Sequence, residues 1–81
     1  MLNKNKIINE INEIIEESRI DEFTDINFAV SLVKLKIEEI IKEDIDNIDV
    51  VHTYINSLEE CNYKKQILLE ILSRYMADSE F

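Results

Sequence analysis

The chain has 81 residues, contains no glycine and no proline, and carries 18 acidic against 9 basic residues, a formal net charge of −9. Without glycine the chain lacks the usual means of building phosphate-binding loops and tight nucleophile turns, which argues against most enzyme classes. The negative charge opposes direct binding to nucleic acid and to anionic membranes. It either attracts a protein partner with a basic surface or serves solubility alone.

The cysteine content and the N-terminus bear on the compartment. The single cysteine, Cys61, cannot form an internal disulfide, so nothing in the sequence requires an oxidising environment. The first residues lack the apolar run of a signal peptide, and no stretch has the length of a membrane span. We therefore expect a cytoplasmic protein. The abundance of isoleucine and asparagine is typical of AT-rich genomes and favours a bacterial, phage or mobile-element origin.

The first predicted helix covers about residues 4–18. Its apolar residues recur at helical spacing and form one stripe: Ile7, Ile8, Ile11, Ile14 and Ile15. Another side of the same helix carries an acidic ridge formed by Glu10, Glu13 and Glu17, with Glu16, Asp21 and Glu22 beyond them. Neighbouring carboxylates on such a ridge lie about 5–6 Å apart, which is comparable to the phosphate spacing along a nucleic-acid strand. The ridge is therefore either a solvated helix face or a nucleic-acid mimic that binds a basic groove.

A polar corner separates the first helix from the second. We expect Ile20 and Phe23, both in this corner, to pack against the core. The second predicted helix covers about residues 25–43, because Thr24 or Asp25 can serve as its N-cap and an apolar periodic run follows.

The second predicted helix is apolar on two sides. Its main stripe contains seven aliphatic residues: Ile26, Ala29, Val30, Val33, Ile37, Ile40 and Ile41. Phe28, Leu32 and Leu35 form a second stripe almost opposite the first. A helix with two apolar faces either lies in the middle of a bundle or presents one face to a partner. The pattern alone leaves both alternatives open.

The next corner contains Asp44, Asp46 and Asp49, which could suggest a calcium loop. Such a loop needs a glycine at its sharp bend and a bidentate glutamate at its end, and here the glycine is missing. We therefore predict capping, with Asp46 or Asn47 at the N-terminus of a third helix of about residues 48–60.

The fourth predicted helix covers about residues 63–76, with Asn62 as its N-cap. Cys61 would continue the apolar stripe of the third helix as a half-buried residue, so a single continuous helix is the alternative. Either way, residues 1–81 are predicted to form one domain.

The predicted fold is an all-α bundle of four helices, or three if the last two are continuous. Its core is predicted to include Ile11, Val33 and Ile37. No combination of residues in the sequence predicts a catalytic site, because His52 is the only histidine that could serve as a base. A zinc site is not predicted either, because zinc needs about four ligands and the chain has one histidine and one cysteine. We predict His52 at the surface, and we predict no catalytic residue, no metal ligand and no cofactor.

Two segments share a pattern with a known family: Phe23-Thr24-Asp25-Ile26-Asn27 followed by Ser31-Leu32, and Ile45-Asp46-Asn47-Ile48 followed by Val51, Tyr54 and Ile55. The first resembles the phosphopantetheine region of acyl carrier proteins, and the second resembles their last helix. The resemblance implies that Ser31 would carry the prosthetic arm. Val30 and Phe28 stand where the family has aspartate and glycine, its short third helix is missing, and an extra helix follows.

The leading functional hypothesis is a non-catalytic inhibitor, antagonist or immunity-type protein that blocks a larger basic target, for instance one that processes nucleic acid. The candidate partner-binding residues come from the second apolar stripe, the acidic ridge and the corner before the fourth helix: Phe28, Leu32, Leu35, Glu10, Glu13, Glu17 and Tyr63. A homodimeric regulatory or assembly protein is the alternative, with the second apolar stripe packed against its copy. An acyl-carrier-like protein is the third hypothesis.

Overall fold

The computed structural model describes residues 4–78, which form four α-helices. The helices are α1 (Lys4–Glu17), α2 (Ile26–Glu43), α3 (Asn47–Ser57) and α4 (Tyr63–Asp78). No strand occurs within residues 4–78, so the prediction of an all-α bundle of four helices is confirmed. The single-domain prediction also covered residues 1–3 and 79–81, which lie outside the described residues.

Aliphatic side chains from all four helices form the core. Helices α2 and α3 each pack against the three other helices, so the core surrounds the line where these two meet. Ile11, Val33 and Ile37 are fully buried, as predicted. Burying a side chain of this size contributes about 1.5–3 kcal/mol, and in a chain this short a few such residues decide whether it folds.

Helix α1 ends in a Schellman motif whose left-handed residue is Arg19, with a φ of 58°. The Arg19 N–H donates to the carbonyl of Glu16 at 3.0 Å, and the Ile20 N–H donates to the carbonyl of Ile15 at 3.3 Å. Glycine is the usual residue at this position, because it has no Cβ to clash at positive φ. Ile15 and Ile20 are both buried, so their burial holds a non-glycine residue in this conformation.

The corner between α1 and α2 leaves Phe23 in solvent. Phe23 is 86% exposed, so the expectation that it packs against the core is wrong, whereas Ile20 is buried as expected. The Asp21 carboxylate accepts from the Phe23 N–H at 2.9 Å and from the Thr24 hydroxyl at 3.1 Å. The Thr24 hydroxyl oxygen in turn accepts from the Asp21 N–H at 3.0 Å. These local bonds set the path of the corner and hold Phe23 on its outer side.

The start of α3 is fastened to the end of α2. Asp46 is the N-cap residue by position, but its side chain makes no capping hydrogen bond. Asn47, the other predicted cap, is the first residue of α3, and its buried amide donates to the carbonyl of Ile40 at 2.7 Å. That carbonyl belongs to the last turn of α2, where the helix offers it no partner of its own.

Helix α3 ends at Ser57, not near residue 60, and α4 is a separate helix. The next residue, Leu58, has extended backbone with φ −86° and ψ 149°. Its carbonyl accepts from the ammonium of Lys65 at 3.3 Å, and the same ammonium donates to the Glu60 carboxylate at 2.8 Å. Lys65 therefore fixes the corner at which the chain turns back.

Asn62 caps α4 as predicted, since its side-chain oxygen accepts from the Lys64 N–H at 2.9 Å. Cys61, which precedes it, is exposed, so the expectation that it is half-buried is wrong. The reason is the early end of α3, which takes Cys61 out of the helical stripe that would have carried it inward.

A partly buried polar cluster links three helices. The side-chain oxygen of Asn12 on α1 accepts from the Tyr54 hydroxyl of α3 at 3.2 Å and from the Lys64 ammonium of α4 at 2.9 Å. The Asn12 amide donates to the carbonyl of Ile8 at 3.0 Å. Because these groups satisfy one another, the cluster favours one relative placement of the three helices over others.

Candidate protein-binding surface

The outward face of α2 carries three large apolar side chains. Phe28, Leu32 and Leu35 are 59%, 41% and 73% exposed, respectively. Because an α-helix turns about 100° per residue, these three lie within about 60° of one another. The same geometry places the buried Val33 and Ile37 on the other side of the helix. The sequence left open whether this stripe is buried inside the bundle or exposed, and it is exposed.

The N-terminus of α2 is fixed by Asp25, whose carboxylate accepts from the Phe28 N–H at 3.0 Å. This bond satisfies one of the unpaired N–H groups of the first turn. Ser31 is exposed beside the stripe, and its hydroxyl donates to the Phe28 carbonyl at 2.6 Å. The serine that the acyl-carrier resemblance would modify therefore lies inside α2, not at its start.

An open groove of about 290 Å³ lies between α1 and α2. Its apolar lining consists of Ile14 and Ile40, and its one cation is Lys36. The rest of the lining consists of five glutamates: Glu10, Glu13, Glu17, Glu39 and Glu43. The groove is thus lined by Glu10, Glu13 and Glu17 of the predicted acidic ridge, but not by its other members, Glu16, Asp21 and Glu22. Helix α2 adds two more carboxylates to the lining.

Glu39 and Glu43 were not among the predicted site residues. The sequence could have indicated Glu39 as a site residue, because it follows Leu35 by one helical turn and so continues the second stripe. Periodicity describes one helix at a time, however. Which side of α2 lies next to the ridge of α1 depends on tertiary packing, so the combined groove could not be predicted.

Glu39 belongs both to the stripe and to the groove. It falls within the same arc of about 60° as Phe28, Leu32 and Leu35, and it also lines the groove. A rise of 1.5 Å per residue places Phe28 and Glu39 about 17 Å apart along the helix axis. The apolar stripe and the groove therefore form one continuous area, which we call the α2 surface.

Tyr63, the remaining predicted partner-binding residue, begins α4 and is partly buried against the core. It does not line the groove, and its contact with the core indicates a packing role. Two other hydrophobic side chains, which periodicity did not single out, are more exposed than any on α2. Phe23 and Ile45 are 86% and 84% exposed and occupy the corners before and after that helix.

The candidate chemical groups are scattered over the described part of the chain. Within residues 4–78, no group of three or more His, Cys, Asp or Glu side chains is placed to hold a metal ion. His52 is exposed on α3, as predicted, and Cys61 is exposed in the corner that follows. Among these same residues, no helix is both long enough and apolar enough to span a bilayer.

Comparisons of the chain with protein-family models, with curated proteins and with solved structures found no match. The α2 surface combines three exposed apolar side chains with a groove that five glutamates line.

Proposed function

We propose that the protein is a non-catalytic binding module that acts as an inhibitor, antagonist or immunity-type protein against a larger protein with a basic surface. The observation that supports this most directly is the junction, at Glu39, of an exposed apolar stripe and an acidic groove. Protein interfaces of high affinity combine a few apolar anchors with a polar, charge-complementary rim. Phe28, Leu32 and Leu35 would supply the anchors, and the glutamates would supply the rim.

The net charge supports a basic target. At −9 the chain attracts a positively charged partner over several ångströms, which raises the rate of encounter at low ionic strength. The groove also places carboxylates on both of its walls. Two rows of negative charge on either side of a groove resemble the phosphates on either side of a nucleic-acid groove. A nucleic-acid-processing protein is therefore a reasonable class of target.

Two matched pairs of variants test this proposal. Glu13→Lys and Glu16→Lys make the same charge change at exposed positions of α1, but only Glu13 lines the groove. Leu35→Ala and Leu69→Ala truncate exposed leucines, of which only Leu35 lies on the α2 surface. Each protein is immobilised and exposed to a lysate of the native host, and the retained proteins are quantified by mass spectrometry.

We expect at least one host protein that is retained by the unmodified chain and by the Glu16 and Leu69 variants, but lost with the Glu13 and Leu35 variants. Equal retention of every host protein by all four variants would overturn the proposal, because it would show that the α2 surface selects nothing.

A homodimer is the second candidate, because the exposed stripe could pack against its copy in a two-fold arrangement. Two copies pairing through this face would bring their glutamates close together, and like charges oppose such an approach. We therefore expect a monomer at micromolar concentration by light scattering. A dimer that Leu35→Ala dissociates would replace the first proposal.

A further inference from the structure

We propose that the part of the partner that covers the α2 surface is an amphipathic helix of about four turns, apolar toward one end and rich in lysine or arginine toward the other. This inference rests on the proposed binding function and specifies the element that is bound. It follows from the length of the α2 surface, from the order of its chemistry along the helix axis and from the lining of the groove.

The length of the surface fits a helix of moderate size. From Phe28 to Glu43 the axial rise of α2 is about 22 Å, which a partner helix of about 15 residues would match. Phe28, Leu32 and Leu35 are spaced by four and three residues, which is the spacing of side chains that pack between those of a neighbouring helix. Binding of an amphipathic helix along such a face is a recurring mode of recognition.

The chemistry of the surface changes along the axis of α2. The exposed stripe is apolar at Phe28, Leu32 and Leu35. Farther along the axis, α2 contributes the carboxylates of Glu39 and Glu43 to the groove, and α1 contributes the other side of its lining. A partner helix that lies along this surface must change in the same way. Its apolar side chains would cover the stripe, and its basic side chains would lie over the groove.

The lining of the groove suits long basic side chains. Ile14 and Ile40 offer an apolar surface to a (CH₂)ₙ stem, and the surrounding carboxylates accept hydrogen bonds from the charged end. Carboxylates alone would attract any cation. The apolar lining together with the adjoining stripe favours lysine or arginine carried on an apolar helix.

Lys36 supplies a second, independent test. It is the one cation that lines the groove, and it forms no ion pair with the described residues. A partner's lysine entering the groove would be repelled by it. Replacing Lys36 with glutamine should therefore tighten binding, an effect that loss of a merely structural residue would not produce. Lys42→Gln is the control, because Lys42 is also exposed on α2 but does not line the groove.

The test uses two labelled helical peptides of the same leucine and lysine composition and a length of about 15 residues. One has leucines on one face of its first half and lysines on the same face of its second half, and the other has the two residue types interspersed along its length. Fluorescence anisotropy measures their binding to the unmodified chain and to the Glu13→Lys, Glu16→Lys, Lys36→Gln and Lys42→Gln variants.

We expect the segregated peptide to bind about tenfold more tightly than the interspersed one, since one desolvated anchor and one charge contact are worth that much. Glu13→Lys should weaken its binding several-fold more than Glu16→Lys does, and Lys36→Gln should tighten it while Lys42→Gln changes it little.

Equal affinity for the two peptides, or equal effects within both pairs of variants, would overturn the inference. If the host lysate nevertheless yields a partner that depends on Glu13 and Leu35, the binding function stands and only the helical partner is wrong. A homodimer that the segregated peptide does not dissociate would mean that a second copy covers the α2 surface, and would also overturn the inference.

Discussion

Leu35 and Glu39 lie one helical turn apart on the outward face of α2, and between them the surface changes from apolar to acidic. Leu35 is the last residue of the exposed stripe, and Glu39 is shared by the stripe and the groove. Neither side chain is buried in the core. The two side chains should therefore affect binding to a partner more than they affect the stability of the fold. Variants of exposed and buried residues of α2 can measure this difference.

Leu35→Ala and Ile37→Ala should differ sharply in stability, although the two residues are neighbours on α2. Ile37 is fully buried, so its truncation should lower the free energy of unfolding by about 2–5 kcal/mol, enough to unfold much of the population. Leu35 is 73% exposed, so its truncation should change stability by no more than about 0.5 kcal/mol. Urea denaturation followed by circular dichroism measures both. A similar loss in both variants would mean that the α2 face is part of the core.

Arg19→Gly should stabilise the protein. Arg19 has a φ of 58°, a region in which a residue with a Cβ is strained by about 1–2 kcal/mol. Glycine removes that strain but gains freedom in the unfolded chain, so we expect a net gain of up to about 1 kcal/mol in urea denaturation. Arg19→Ala is the control, because it removes the charge and keeps the Cβ, and it should bring no gain. A less stable glycine variant would show that the Arg19 side chain itself holds the corner.

The Arg19 corner illustrates what the sequence could predict and what it could not. The absence of glycine and the spacing of isoleucines predicted four helices, or three if the last two were continuous, and a core that contains Ile11 and Ile37. These features could be predicted because they depend on patterns local to each helix. The corners depend on contacts between helices. The burial of Ile20 requires a positive φ at Arg19. The hydrogen bond from the Phe23 N–H to the Asp21 carboxylate leaves the Phe23 side chain in solvent.

The candidate site could likewise be predicted only where it depends on patterns within one helix. Helical spacing placed Phe28, Leu32 and Leu35 on one face, and the structure confirms that they share it. Whether that face was covered could not be predicted, since it depends on where the other helices pack. For the same reason the groove, which both Glu39 of α2 and Glu13 of α1 line, became visible only in the folded chain.

Asn12→Ala should destabilise the protein by about 1–2 kcal/mol, because it leaves the Tyr54 hydroxyl and the Lys64 ammonium without the acceptor they share. Asn9→Ala is the matched control on the same helix, since Asn9 is exposed, and it should change stability by no more than about 0.5 kcal/mol. Thermal or urea denaturation compares the two variants. Equal effects would mean that the Asn12 cluster contributes nothing to holding α1, α3 and α4 together.

Glu60→Gln should make a small, pH-dependent difference to stability. The hydrogen bond from Lys65, and then its positive charge, hold the pKa of Glu60 below its ordinary value. A carboxyl group whose pKa is lower in the folded state adds stability at pH values above its unfolded pKa, and that stability is lost as the pH falls through the folded value.

The urea midpoint of Glu60→Gln should therefore lie slightly below that of the unmodified chain at neutral pH, and the two midpoints should converge as the pH falls through the folded pKa of Glu60. The neighbouring Glu59→Gln serves as control, because Glu59 forms no salt bridge among the described residues. Its urea midpoint at neutral pH should stay close to that of the unmodified chain. A difference for Glu60→Gln that is the same at neutral and at acid pH would contradict the role given to the Lys65 contact.

The central claim, that the protein acts through the α2 surface, is tested most directly by nuclear magnetic resonance. Backbone amide spectra of the isotope-labelled chain are recorded while the partner retained from the host lysate is added. We predict that the largest shifts fall on residues 28–43 of α2 and on the groove-lining residues of α1, with little change around His52 and Cys61. Shifts centred on the corner between α3 and α4, with the outward face of α2 unaffected, would contradict the claim.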